Sequence, residues 1–288
     1  MLASVVIPAN NESATIERTL VALRSGVGGA AELDVVVVCN GCTDDTAEAA
    51  RRADPLARVI EVPEPSKTAA VRVGNAATRV FPRVHVDADV ELTGAALRLL
   101  VAALDDGVLA AAPQRIQPRD GCTRPVRWYY DVWEQLPQVR AGLFGRGVVA
   151  LSDEGQRRVS ALPPMMSDDL VISEVFHPSE RRVVEAATVV VHPARTMRAL
   201  LRRRVRVVTG NAQADADGVR RRDAVTTPRT LLRMIRRQPS LAMRMPFFVA
   251  VTLVARWRAR AAVRSGDFTT WQRDESSRGG ARPRAAKP

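Results

Sequence analysis

The amino-acid sequence predicts an α/β fold in which a mostly parallel sheet is covered by helices on both faces. Across residues 1–90, short β-branched runs alternate with stretches of helical spacing. Val35-Val36-Val37-Val38 is apolar on both faces of a strand, as a central parallel strand must be. Strand and helix that alternate in this way form right-handed crossovers, which place the strands side by side in one sheet.

The elements of the first half follow from two residue patterns. Continuous apolar and β-branched runs, typical of strands, lie at 5–7, 35–38, 58–62 and 84–87. Apolar residues spaced three and four apart, typical of helices, lie at 13–23, 43–53 and 67–79. Each predicted helix connects two predicted strands, so the polar residues that follow the strands are expected at one edge of the sheet.

The second half is less regular. Predicted strands lie at 109–112, in the last part of 142–151 and at 183–192. Predicted helices lie at 95–104, 127–135, 167–175 and 197–208. Two basic helices, broken near Pro246, are expected within 228–265, and residues 276–288, rich in Ser, Gly, Arg and Pro, are expected to be disordered.

The net charge of +12 comes entirely from the C-terminal third. Residues 1–194 carry 20 basic and 25 acidic side chains, whereas residues 195–288 carry 23 basic and 6 acidic ones. No apolar run reaches the length of about 18 residues that a membrane-spanning helix needs. Sparse cysteines and the absence of a secretion signal pattern predict a cytoplasmic location.

Polar groups follow three of the predicted strands, at 8–12, 39–45 and 87–89. Asp87-Ala88-Asp89 places two carboxylates at the end of an apolar strand, where a turn can bring both toward one divalent cation. Such oxygen ligands suit Mg²⁺ or Mn²⁺ bridging a diphosphate. The same residues could also form an ordinary acidic turn.

Two further clusters have two interpretations each. Asp168 and Asp169 begin a predicted helix. They are either charges that cap its N-terminus, or one of them is a general base. The arginines of 202–206 are either a solvated helix face or a clamp for a leaving diphosphate. The glycine-rich phosphate loops of nucleotide hydrolases and dinucleotide enzymes are absent from the sequence.

Six segments, in chain order, resemble the family 2 inverting glycosyltransferases, which have the GT-A fold. The segments are 5–12 (VVIPANNE), 37–46 (VVCNGCTDDT), 67–74 (KTAAVRVG), 87–89 (DAD), 168–169 (DD) and 206–210 (RVVTG). The resemblance covers about residues 4–210. It implies a Rossmann-like, mostly parallel sheet and metal-dependent transfer of a sugar from a nucleotide-diphosphate donor to an acceptor hydroxyl, with inversion.

The resemblance also implies a donor site. Pro8, Ala9, Glu12 and Ala88 would line the nucleotide pocket with Lys67, and Asn40 would face the base. Asp87 would contact the ribose or the metal, and Asp89 would ligate the cation, Mg²⁺ or Mn²⁺, between the donor phosphates.

The reaction itself would be carried by residues further along the chain. Asp169 would deprotonate the acceptor hydroxyl, and Asp168 would tune that base or bind the acceptor. Arg206, with Arg203, would stabilise the departing diphosphate. Residues 1–90 would then be the nucleotide-sugar-binding half of the domain, 91–215 its acceptor-binding and catalytic half, and 216–275 a basic helical extension before the tail at 276–288.

Departures from the family pattern leave the substrates open. Asn40 stands where an aspartate commonly reads the base, so the donor could be UDP-, GDP- or dTDP-linked. The acceptor could be a saccharide, a lipid-linked molecule or a small molecule. Trp128 and Trp133 either pack in the core or line an acceptor groove. Gly145 and Arg146 are expected to shape the acceptor wall, since glycine permits close approach.

The basic C-terminal region mixes apolar faces, Trp257 and clustered arginines, which favours an anionic membrane surface at the inner face of the plasma membrane over nucleic acid. The alternative is that its apolar face packs on the catalytic domain while the arginines face water. Two other functions stay open at this point: sugar nucleotidyl transfer, and a basic membrane or nucleic-acid binding module with a degenerate site.

Overall fold

The computed structural model describes residues 2–29, 32–78, 80–105, 107–162, 168–216 and 226–265. The strands are β1 (Ala3–Ala9), β2 (Leu33–Asn40), β3 (Arg58–Val62), β4 (Arg83–Val86), β5 (Val90–Leu92), β6 (Ala110–Ile116), β7 (Val148–Leu151) and β8 (Arg181–Val191). The first helices are α1 (Ile16–Arg24), α2 (Thr46–Ala53), α3 (Lys67–Ala77), α4 (Gly94–Ala102), α5 (Arg124–Trp133) and α6 (Pro137–Ala141). The others are α7 (Asp153–Ser160), α8 (Asp168–Val175), α9 (Met197–Ala216), α10 (Pro228–Arg237) and α11 (Met245–Ser265).

The described strands form one eight-stranded sheet in the order β3-β2-β1-β4-β7-β6-β8-β5. Parallel pairings join β1 to β2 and β4, β2 to β3, and β6 to β8. β7 runs antiparallel to β4 and β6, and β5 runs antiparallel to β8. The predicted α/β class is confirmed, and the sheet is parallel through its first half and mixed in its second.

Both faces of the central strands β1, β2 and β4 are buried, as the continuous valine run of β2 predicted. Val35 and Val37 pack on one face with residues of α1, α2 and α4. Val36 and Val38 pack on the other face against Ala70 of α3. Successive side chains of a strand point to opposite faces, so a strand between two helical layers must be apolar at every position.

A second apolar core lies away from the sheet. It is formed by buried side chains of α5, α6, α9, α10 and α11, among them Tyr129, Leu200 and Phe248. The rings of Tyr129 and Phe248 stack with centroids 5.1 Å apart. The predicted basic helices therefore exist, α11 packs on α5 and α9, and α10 contributes Met234 to the same core. The predicted disordered tail at 276–288 lies outside the described residues.

Some elements were missed or misplaced by the sequence patterns. β5, with three residues, and α6, with five, are too short to give a periodic signal, and α7 was not predicted. α9 extends to Ala216, beyond its predicted end at 208, and packs on α11. Within the described ranges, neither these helices nor the others are long and apolar enough to cross a membrane.

Gly74 sets the distance between α3 and the sheet. A Cβ atom at this position would lie 2.3 Å from Val6 Cγ1 of β1. We expect Gly74→Ala to lower the free energy of unfolding by about 1–3 kcal/mol, because overpacking outweighs the gain of about 1 kcal/mol in helix propensity. The control is Gly29→Ala, since a Cβ at Gly29 would meet nothing within 4 Å. Equal midpoints in chemical denaturation for both variants would contradict this packing argument.

Candidate active site

Parallel pairing brings the first two polar segments together at one edge of the sheet. Pro8 pairs with Val38 and Ala9 with Cys39, so β1 and β2 end side by side. The side chain of Asn40, nearly fully buried, donates from Nδ2 to the carbonyl of Ala9 at 2.8 Å. The amide nitrogen of Asn40 thus fixes the two strand ends to each other.

The loops that follow β1 and β2 are also tied together. Asn11, whose φ is 52°, accepts a hydrogen bond from the Thr43 backbone N–H at 2.7 Å. The carboxylate of Glu12 is buried and accepts from Thr15 Oγ1 at 2.8 Å, while the Glu12 N–H donates to Thr46 Oγ1 at 2.8 Å. In this state Glu12 closes the turn that precedes α1, and its role toward a nucleotide stays a prediction.

Asp87, Ala88 and Asp89 follow β4 at the same edge. Ala88 is buried, and its carbonyl accepts from Thr19 Oγ1 of α1 at 3.0 Å. The flanking Asp87 and Asp89 are more accessible than Ala88. The backbone N–H of Asp87 donates to the Gly147 carbonyl at 2.7 Å. A Cβ atom at Gly147 would lie 2.6 Å from Val90 Cγ1 and 3.2 Å from Asp87 Oδ2, so this position needs glycine.

Lys67 faces this carboxylate segment from the first turn of α3. Its Nζ lies 2.9 Å from Asp87 Oδ1. The two aspartates offer the hard oxygen atoms that Mg²⁺ and Mn²⁺ prefer, and these cations commonly bind one or two carboxylates together with substrate phosphates. Among the described residues no cluster of three or more His, Cys, Asp or Glu side chains could form a metal cage. The donor set therefore fits a cation that a diphosphate would help to hold.

A cavity of about 250 Å³ opens beside Asp87 and Lys67. Its walls come from β1, α3, β4, β7, α7 and α8, and they include Pro8, Leu143, Gly147, Val171 and Ile172. The predicted donor residues Pro8, Lys67 and Asp87 therefore share one cavity with the helix that Asp168 and Asp169 begin. Asp169 lies two residues before the cavity-lining Val171 along α8.

Arg203 of α9 is connected to β5, the strand after the carboxylate segment, by two contacts that the sequence did not indicate. Its Nη1 donates to the carbonyl of His192 at 3.4 Å. The His192 ring contacts Glu91 Oε1 at 2.7 Å, and Glu91 follows Asp89 by two residues. Arg206 lies about one turn further along α9, and its side chain is partly exposed. These contacts link α9 to β5, the strand that follows the predicted metal segment.

Arg115 of β6 organises part of the predicted acceptor region and was missed by the sequence patterns. Its Nη1 donates to the Gly145 carbonyl at 2.9 Å, and its guanidinium stacks over the Trp133 ring at 4.3 Å. Burial lowers the pKa of Arg115 to about 10. Gly145 and Trp133 are thus brought together. Trp128 meets the edge of Phe247 of α11, with ring centroids 6.3 Å apart.

The described contacts of the Arg146 side chain are with the protein's own backbone. Its guanidinium, almost fully buried, donates to four backbone carbonyls, those of Pro113, Val139, Arg140 and Gly142. Burial is also the main cause that lowers its pKa to about 9, with the charge of Arg115 adding to it. In the structure Arg146 holds the loop that carries Gly145, and direct contact of Arg146 with an acceptor stays a prediction.

This combination of fold and strand-edge polar groups defines the GT-A class of sugar-transferring folds. The family model described as glycosyl transferase family 2 matches residues 4–149. The chain belongs to glycosyl transferase family 2. No individual curated protein matches the sequence significantly.

Solved structures support the same fold. The mannosyltransferase PcManGT from Pyrobaculum calidifontis, in complex with GDP-Man and Mn²⁺, is 20% identical with a TM-score of 0.58, and the match covers 92% of this chain and 79% of that one. Glucosyl-3-phosphoglycerate synthase from Mycobacterium tuberculosis is 22% identical with a TM-score of 0.53, and the match covers 76% of this chain and 82% of that one. At these identities the likeness establishes the GT-A fold.

The contacts of Arg146 predict a large effect on stability. We expect Arg146→Lys to lower the free energy of unfolding by about 2–4 kcal/mol, because an ammonium group cannot reach all four carbonyls and leaves buried acceptors unpaired. Arg157→Lys on the exposed face of α7 is the control and should change it by less than about 0.5 kcal/mol. Urea denaturation of both variants tests this, and similar small losses would argue against the structural role of Arg146.

Proposed function

We propose that this protein transfers a sugar from a nucleoside-diphosphate donor to an acceptor hydroxyl with inversion at the anomeric carbon. The observation that carries this proposal is the cavity that joins Lys67 and Asp87 to the wall of α8, since it connects a site for phosphates with a helix that begins with two carboxylates. Family membership supports glycosyl transfer over nucleotidyl transfer and over a binding module.

The donor would lie across the ends of β1, β2 and β4. Pro8, Ala9 and Asn40 would form the floor on the nucleotide side, with Glu12 and Ala88 beside them. Asp87 and Asp89 would hold Mg²⁺ or Mn²⁺, which supplies neutralisation of the diphosphate charge when bound. Lys67 adds a second positive charge at the same place. Two of the similar structures support this choice, because they are complexes with Mn²⁺ and GDP-Man or UDP-Glc.

The transfer step needs a base on the side of the sugar opposite the diphosphate. The Asp169 carboxylate takes the proton of the acceptor hydroxyl while that oxygen bonds to the anomeric carbon. The bond from this carbon to the phosphate oxygen breaks, and the nucleoside diphosphate leaves with the electron pair. Arg203 and Arg206 stabilise its charge. Asp168 orients the acceptor or raises the basicity of its neighbour.

The acceptor would enter from the side of the 143–147 loop. Gly145 and Trp133 border this side, and Arg115 fixes both through its hydrogen bond and its stacking contact. Phosphoglycerate, present in one complex of the mycobacterial synthase, illustrates a small anionic acceptor in a similar fold. For this chain the acceptor class is a saccharide, a lipid-linked molecule or a small molecule with a free hydroxyl.

Donor binding is expected to need the aspartates after β4. A UDP-, GDP- or dTDP-sugar with Mn²⁺, at about 100 times its dissociation constant, should stabilise the folded protein by about 2.7 kcal/mol. Asp89→Asn should remove most of this stabilisation, whereas the exposed control Asp105→Asn should retain it. Thermal unfolding with and without Mn²⁺ is the measurement. If no donor raises the melting temperature of the folded wild-type protein, the proposed function is wrong.

Asp169→Asn tests the base. We expect kcat to fall by about 10²- to 10⁴-fold, since a carboxamide cannot accept the proton, while the dissociation constant of the donor stays unchanged. Asp153→Asn, in the first turn of α7, is the matched control and should keep full activity. The anomeric configuration of the product, read from NMR coupling constants, should be inverted. Retention, or release of pyrophosphate in place of a nucleoside diphosphate, would exclude this mechanism.

A further inference from the structure

An apolar stripe runs along the outer face of α11, opposite the face that packs on the protein. Successive residues of an α-helix turn by about 100°, so the exposed stripe residues fall within an arc of about 100°. They are Pro246, Ala250, Leu253, Val254 and Trp257. The buried residues of the same helix, including Phe248, Val251 and Ala255, lie on the opposite side. Packing of α11 on α5 and α9 therefore does not explain why these exposed positions are apolar.

The stripe exposes large side chains. Trp257 is 67% exposed and Leu253 is 57% exposed. From Pro246 to Trp257 the stripe is about 16 Å long at 1.5 Å per residue. Trp128 of α5, 43% exposed, adjoins it through its edge contact with Phe247. A contiguous exposed apolar surface of this kind is typical of an interaction site.

Exposed arginines flank the C-terminal end of the stripe. Arg256 and Arg258 flank it on its two sides, and Arg260 lies in the turn after Trp257; all three are exposed. Residues 226–265 contain nine arginines and no aspartate or glutamate. Arg244 pairs with Asp131 of α5 at 3.2 Å, whereas Arg256, Arg258 and Arg260 form no ion pair with the residues that the structure describes. Their charge therefore faces outward beside the apolar stripe.

We propose that this face of α11 binds the surface of an anionic lipid bilayer. The apolar stripe would enter the boundary between headgroups and acyl chains, with Trp257 at the interface, and the flanking arginines would contact lipid phosphates. The proposal does not depend on the proposed sugar transfer.

Charge and apolar character favour a lipid surface over a second copy of this chain and over nucleic acid. A second copy of the same face would bring two uncompensated arginine clusters together, and like charges across an interface cost free energy. Nucleic acid would use the arginines but would leave the aliphatic stripe without a partner. An anionic bilayer satisfies both parts at once, because it offers phosphate groups above an apolar layer.

The test is co-sedimentation of the full chain with vesicles of phosphatidylcholine alone and of an equal mixture of phosphatidylcholine and phosphatidylglycerol. We expect binding to the mixed vesicles that weakens with added salt and is much weaker on phosphatidylcholine alone. The fluorescence of Trp257 should shift to the blue on binding, measured as the difference between the wild type and Trp257→Phe.

Two sets of variants separate the apolar and the charged contributions. Leu253→Ala with Trp257→Ala should weaken vesicle binding by about tenfold or more. Its control is Leu56→Ala with Val21→Ala, which removes side chains of similar exposure, 61% and 57%, from the other half of the molecule. Vesicle binding should weaken by about 100-fold when Arg256, Arg258 and Arg260 are all replaced by Gln. The charge-matched control carries Arg51→Gln, Arg52→Gln and Arg157→Gln, at exposed positions outside α11.

Four outcomes would overturn the proposal. The first is that the folded wild-type chain does not bind the mixed vesicles, and the second is that the test and control variants lose vesicle binding equally. The third is a dimer in solution that the stripe variants dissociate. The fourth is binding to RNA that the stripe variants weaken as much as they weaken vesicle binding. Because the substituted residues are exposed, circular dichroism should show every variant folded. Should the alanine variant be unfolded, the arginine variants decide the question alone.

Discussion

The parallel alignment of β1 with β2 and β4 is the constraint on which the candidate site depends. Each of these strands is buried on both faces, so its position is set by packing on helices and by the ladder to its neighbours. Parallel strands end at the same edge, which brings Asn40, Lys67 and Asp87 together from distant parts of the chain. Gly74 lets α3 approach the sheet closely enough to place Lys67 there.

Electrostatics at this edge explain how a chain with an acidic first part can bind an anionic donor. Lys67 neutralises Asp87 in the structure, and the carboxylates of Asp87 and Asp89 would otherwise repel phosphate. A divalent cation with the arginines of α9 supplies the compensating charge in the proposed complex. Arg203 contacts the His192 carbonyl, and the His192 ring contacts Glu91 of β5, so α9 is connected to the strand after this segment.

The two faces of the C-terminal helices differ. Their buried faces complete a second core with α5 and α9, which positions Arg203 and Arg206. The outer face of α11 is apolar and basic in a way that this core does not require. A single helix can therefore support the catalytic domain with one side and, as proposed, bind a lipid surface with the other.

The sequence by itself determined the α/β class, the central strands and the family, because a buried parallel strand and the loop after it have strong local patterns. Short elements such as β5 and α6 left no periodic signal. Only the tertiary structure revealed Arg115 and Glu91 beside the site, turned the guanidinium of Arg146 into the protein and placed Trp128 against Phe247. The reason is physical: which side of a helix faces a cavity, and which distant carbonyl an arginine reaches, depends on packing between elements that are far apart in sequence.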